Sequence, residues 1–156
     1  SDFKFSIVFL ICSNLTPKLS LSMYLKLLNY EQKTAFISLA KHFFMTDDIF
    51  DEFEEKILDR FIDEMNLKEA DLALNMGFEE SVKSFYDSSL ETKRTVMLEL
   101  LCACFCNNEI DEEQKNLLDQ ISNKLGMDDE FMDEATRWAK YSTAMVRAGL
   151  KLIGRS

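Results

Sequence analysis

Residues that break helices are scarce in this chain. Its 156 residues include four glycines and one proline, so little interrupts long elements. β-Branched alternation is thin and no hairpin signal appears, which argues against a sheet. No apolar run approaches the roughly 18 residues of a membrane-crossing helix. There is one histidine, so any Ser–His or Cys–His pair would have to use His42, and nothing marks a partner for it. A Gly-rich phosphate loop, GxSxG and HExxH are all missing. The chain therefore reads as a non-enzyme. Of its four cysteines, Cys102, Cys104 and Cys106 crowd one stretch of predicted helix, a poor arrangement for intrachain disulfides. They fit small core residues in a reducing compartment. A zinc site drawn from His42, Cys102 and Cys106 lacks the short-loop spacing of structural zinc.

What is abundant is negative charge. The formal net charge is −10, and residues 31–67 carry ten acids against four bases. An acidic body disfavours nucleic acid, whose phosphates need a basic face. It suits cations or basic protein partners. Residues 135–156 reverse the balance, with five bases and no acid.

The chain also repeats itself. Residues 31–67 lie over residues 91–127 at an offset of 60 without a gap, and six positions are identical: Glu31/Glu91, Lys33/Lys93, Asp51/Asp111, Glu52/Glu112, Leu58/Leu118 and Asp59/Asp119. Apolar positions match in kind, among them Phe36/Val96, Ala40/Leu100, Ile57/Leu117, Phe61/Ile121 and Met65/Leu125. Each unit of such a repeat needs a neighbour to cover its apolar face. Within each copy the apolar spacing of three and four predicts two amphipathic helices. These run over about 24–45 and 52–65 in the first copy, and 93–106 and 112–125 in the second. Asn75–Gly77 predicts a break between the copies. Asp128 or Asp129 caps a final helix predicted over 130–153. The expected fold is all-α: a bundle of six to eight helices built on two pseudo-repeated hairpins, 31–67 and 91–127. Residues 23–156 form a single expected domain. Residues 1–22 read as an N-terminal extension, because MYLKLLNYEQKTAF from Met23 looks like a natural beginning and FKFSIVFLIC is only weakly signal-like. The expected location is cytoplasmic.

Each copy carries an acidic turn between its helices, MTDDIFDEFEEK at 45–56 and FCNNEIDEEQKN at 105–116. Neither is an EF-hand. Counted from Asp47, the sixth position is Glu52 rather than Gly and the twelfth is Leu58 rather than Glu. The rhythm of Asp47-Asp48-Ile49-Phe50-Asp51-Glu52-Phe53-Glu54, closing with Met65-Asn66-Leu67, resembles the TerB-like family, named for a tellurite-resistance protein. So does Asn107-Asn108-Glu109-Ile110-Asp111-Glu112-Glu113-Gln114, closing with Leu125-Gly126-Met127. The resemblance implies an all-helical, non-catalytic stress-response or interaction module with a protein partner. It also implies a divalent cation held by Asp47 and Glu54; oxygen ligands favour calcium or magnesium, and Asp48 and Asp51 are able to complete the shell. The second copy has Asn107 and Gln114 at the two ligand positions, so a cation is expected at the first turn only. The residues also support a metal-free reading. Asp51-x-x-Glu54 and Asp111-x-x-Gln114 both fit a capping box, which leaves a docking or co-chaperone-like domain as the alternative.

The final helix has two readings. Arg137, Lys140, Arg147, Lys151 and Arg155 fall on one side, and Phe131, Ala135, Trp138, Met145 and Leu152 on another. It either packs on its own acidic bundle or makes peripheral membrane contact through the basic face.

Overall fold

The computed structural model describes residues 24–46, 52–72, 76–106 and 110–154. Among the described residues, seven α-helices follow a single 3₁₀ turn at Leu25–Leu27 and no strand occurs. The helices are α1 (Tyr30–Phe44), α2 (Glu52–Met65), α3 (Glu69–Leu72), α4 (Phe78–Lys83), α5 (Leu90–Cys106), α6 (Glu112–Leu125) and α7 (Asp129–Leu152). The offset of 60 survives folding: α1 and α5 begin at Tyr30 and Leu90, and α2 and α6 span Glu52–Met65 and Glu112–Leu125.

The matched apolar positions make one core. Phe36, Ala40, Leu58, Phe61 and Met65 are buried, and so are Val96, Leu100, Leu118, Ile121 and Leu125. Phe36 meets Phe61 edge-on, with ring centroids 5.2 Å apart, an arrangement favoured by the ring quadrupole. α1 packs on α2, α5 packs on α6, and α1 also touches α6. The short α4 lies against both α1 and α6, bringing Val82 and Phe85 into the core. α5 is apolar around most of its circumference because α6, α7 and the 3₁₀ turn all cover it. Its Cys104 is buried and donates its thiol proton to Leu100 O at 2.9 Å, while Cys102 is half-buried.

Both hairpins close in the same way. Asn66 and Gly126 sit in the left-handed region at φ 54 and 69. Leu67 N donates to Ile62 O and Met127 N to Ser122 O, both at 3.0 Å. These are the long bonds of a Schellman closure, which satisfies carbonyls that the helix end leaves open.

Local chemistry sets the helix starts. The first helix was expected from about residue 24, but it begins at Tyr30. Asn29 Oδ1 accepts from Gln32 N–H at 2.9 Å, and Gln32 Oε1 accepts from Asn29 N–H at 3.0 Å. That reciprocal box ends the helix on its N-terminal side. The chain before it bends so that Leu25 is fully buried and Tyr24 N donates to Glu99 Oε1 at 2.9 Å. Asp128 caps α7 through Phe131 N–H at 2.7 Å.

α7 belongs to the bundle. Ala135, Ala139, Thr143 and Val146 are buried, and the helix lies along α5. Arg147 Nη2 donates to Phe105 O at 2.6 Å, placing a cation at the carbonyl end of α5, where the helix dipole favours one. Trp138 is half-buried against the core. No helix among the described residues is long and apolar enough to cross a membrane.

Candidate functional site

The first acidic turn supplies one described member of the expected cation set. Glu54 lies in the first turn of α2 and is 5% exposed. Asp47, Asp48 and Asp51 lie outside the described residues, and no three metal-ligating side chains converge among those described. The matching position in the second copy is Gln114, 8% exposed. The fold thus buries this side chain in both copies, once as a carboxylate and once as its neutral isostere. Beside it, Asp111 Oδ1 accepts from Gln114 N–H at 2.7 Å. This is the side-chain-to-backbone half of the expected capping box.

His42 is held by two contacts. The His42 ring nitrogen Nε2 is 3.0 Å from Met76 O, and its ring meets Phe78 edge-on. A carbonyl oxygen can only accept, so this bond makes Nε2 the protonated nitrogen.

A concave site opens between α5, α6 and α7. Its volume is about 720 Å³, within the range typical of ligand-sized clefts. Leu101, Phe105, Ile110, Leu118 and Met132 supply apolar lining, and Lys115, Lys140 and Arg147 supply cations. Asp119 and Asp133 are the acids on its walls, so the cleft carries one more base than acid in a protein of net charge −10. Lys140 Nζ lies 5.3 Å from the Phe105 ring centroid, close enough for cation–π attraction. Together with the Arg147 bond to Phe105 O, this fixes two cations around one aromatic residue at the end of α5.

No family model matches this chain, and neither does any curated protein or solved structure.

Only fragments of the cleft are visible in the sequence. Lys140 and Arg147 stand out as bases on the last helix, but Lys115 sits in the acidic second copy, where the carboxylates draw attention. Nothing local links it to a helix that begins fourteen positions later. The available signal is that Lys115 and Gln114 replace Glu55 and Glu54 of the first copy. At Lys115 the second hairpin sets a base on the cleft wall where the first copy has an acid.

Proposed function

We propose that the chain is a non-catalytic binding module whose cleft between α5, α6 and α7 receives a protein segment with an apolar side chain and a carboxylate. The observation that carries this is the pairing of an apolar lining with Lys115, Lys140 and Arg147. Apolar burial supplies affinity, and charge-assisted bonds to fixed cations supply orientation. The test is a titration of the isotope-labelled protein with a leucine-rich peptide ending in a free carboxylate, against the same peptide amidated. The free acid should shift the resonances of Leu101, Phe105 and Met132 and bind more tightly. Lys115→Gln/Lys140→Gln should remove that preference. Equal binding of acid and amide, or shifts elsewhere on the molecule, would refute the assignment.

The resemblance to the TerB-like family supports a cytoplasmic stress-response module and a second activity, cation binding at the first turn. Glu54 is the observation in its favour: a buried carboxylate carries a desolvation cost that the neutral Gln114 avoids at the equivalent place. A cation held by Asp47 and Glu54, with Asp48 and Asp51 nearby in sequence, would add to the contacts that Glu54 makes within the fold. Carboxylate oxygens select calcium or magnesium over zinc. Calorimetric titration with calcium should show binding in the wild type and none in Asp47→Asn/Glu54→Gln, which converts the first turn to the second. Asn107→Asp/Gln114→Glu should add a site. Absence of heat with calcium and magnesium alike would leave both turns as caps and the cleft as the functional site.

A further inference from the structure

We infer that the outward face of α7 docks on an anionic lipid surface. The helix has two apolar faces. The first, Ala135, Ala139, Thr143 and Val146, is buried against the bundle. The second runs Tyr141, Met145, Ala148 and Leu152, at intervals of four, three and four, on the outward side, with Trp138 at its edge against the bundle. Packing on α5 leaves this second stripe uncovered. Tyr141 is 67% exposed, Met145 47%, Leu152 88% and the adjoining Ile153 55%. Scattered exposed apolar residues are ordinary, but a continuous stripe along one helix marks an interaction face.

Charge complementarity names the occupant. Arg137, Lys140 and Lys151 are exposed beside the stripe, and the sequence from residue 135 to 156 contains no acid. Long basic side chains keep their heads in the polar layer while their stems lie along apolar groups, and Trp and Tyr favour the same boundary. The acids of α7, Asp129, Glu130, Asp133 and Glu134, are confined to its first turns. The helix is therefore polarised along its length. Its Leu152 end enters the surface deepest, and the acidic bundle is held away. A second copy fits the face less well. Packed in parallel it sets base beside base, and packed antiparallel about the stripe it brings Arg137 alongside Lys151.

The experiment is sedimentation of the full chain with vesicles of phosphatidylcholine and phosphatidylserine in equal parts, and with phosphatidylcholine alone. Trp138, the only tryptophan, reports insertion by its emission. Co-sedimentation and a blue shift are expected with the mixed vesicles only, weakening with added salt. Arg137→Gln/Lys151→Gln should weaken partitioning about thirtyfold, from about 1 kcal/mol for each base held near an anionic surface. Met145→Asp/Leu152→Asp should abolish the blue shift while the thermal transition stays in place, since both side chains are exposed. None of these four residues lines the cleft, so failure here leaves the peptide-binding reading standing. Three results overturn the proposal: equal sedimentation with neutral vesicles, lipid binding that survives both double variants, or a dimer in solution that Met145→Asp dissociates.

Discussion

Replacing Gly126 by alanine tests the repeated closure directly, because it changes backbone freedom and nothing else. A Cβ built on Gly126 meets no atom within 4 Å, and the same is true at Gly77. The two sites differ only in backbone. Gly126 has φ +69, whereas Gly77 is extended at φ −67 and ψ 164 and caps α4 without a side-chain bond. Left-handed backbone costs an L-residue roughly 1–2 kcal/mol. Against this, alanine restricts the unfolded chain and returns about 0.4–1 kcal/mol. Gly126→Ala should therefore cost about 1 kcal/mol net, whereas Gly77→Ala should be close to neutral, the entropy gain opposing the N-cap preference for glycine over alanine. In a domain of this size about 1 kcal/mol lowers Tm by roughly 2–4 °C. Thermal unfolding by circular dichroism resolves that difference, and Asn66→Ala should fall in the same direction as Gly126→Ala. If Gly77→Ala loses as much as Gly126→Ala, or Gly126→Ala loses nothing, positive φ is not what makes glycine the right residue there.

Three further outcomes are expected. Arg147→Met keeps much of the side-chain stem but leaves Phe105 O without its charged donor, which should cost about 1–2 kcal/mol in chemical denaturation and loosen the cleft. Removing residues 131–156 uncovers the α5 surface now packed against Ala135, Ala139 and Val146, so the truncated chain should lose its cooperative thermal transition. Tyr30 donates to Asp71 Oδ1 at 2.7 Å, and this bond holds the Tyr30 hydroxyl above its ordinary pKa. The same bond, aided by the Lys68 N–H, holds the Asp71 carboxyl below its own. The stabilising contribution of Asp71 is then complete above the usual carboxylate range and fades as pH falls through its depressed value. That of Tyr30 is complete below the usual tyrosine value and fades as pH rises through its raised one. Tyr30→Phe should return the Asp71 carboxyl towards its ordinary titration, read by carbon NMR.

The repeated hairpins were legible because each helix must bury a stripe, and burial leaves a period in the sequence. Phe36/Val96 and Phe61/Ile121 carry that period, and Asn66/Gly126 carries the turn that ends it. Apolar spacing could not locate the start of α1, because Leu25 and Leu28 extend the pattern through a segment that is not α-helical. The start is set by hydrogen bonds between Asn29 and Gln32, a signal that lies in residue type rather than hydrophobicity. Spacing alone puts Trp138 on the apolar side of the last helix. It is half-buried because its position on α7 lies between the packed face and the outward stripe. The cleft was illegible for a different reason. Its walls meet through tertiary packing of α5, α6 and α7, and no local pattern records that Lys115 and Arg147 face the same space. Of the expected cation ligands, Glu54 is placed inside the fold, whereas Asp47, Asp48 and Asp51 fall outside the described residues.

Two of the three thiols of α5, Cys102 and Cys104, give the molecule an internal clock for its own opening. Thiolate, not thiol, reacts with an alkylating reagent. Cys104 is sealed in the core with its proton committed to Leu100 O, so it becomes reactive only when α5 parts from its neighbours. Cys102 is half-buried two positions earlier and needs a much smaller excursion. Peptide-resolved labelling of the pair therefore separates breathing at the edge of the helix from exposure of the whole core. A ligand that fills the cleft over Leu101 and Phe105 should slow Cys104 without any contact to its sulfur.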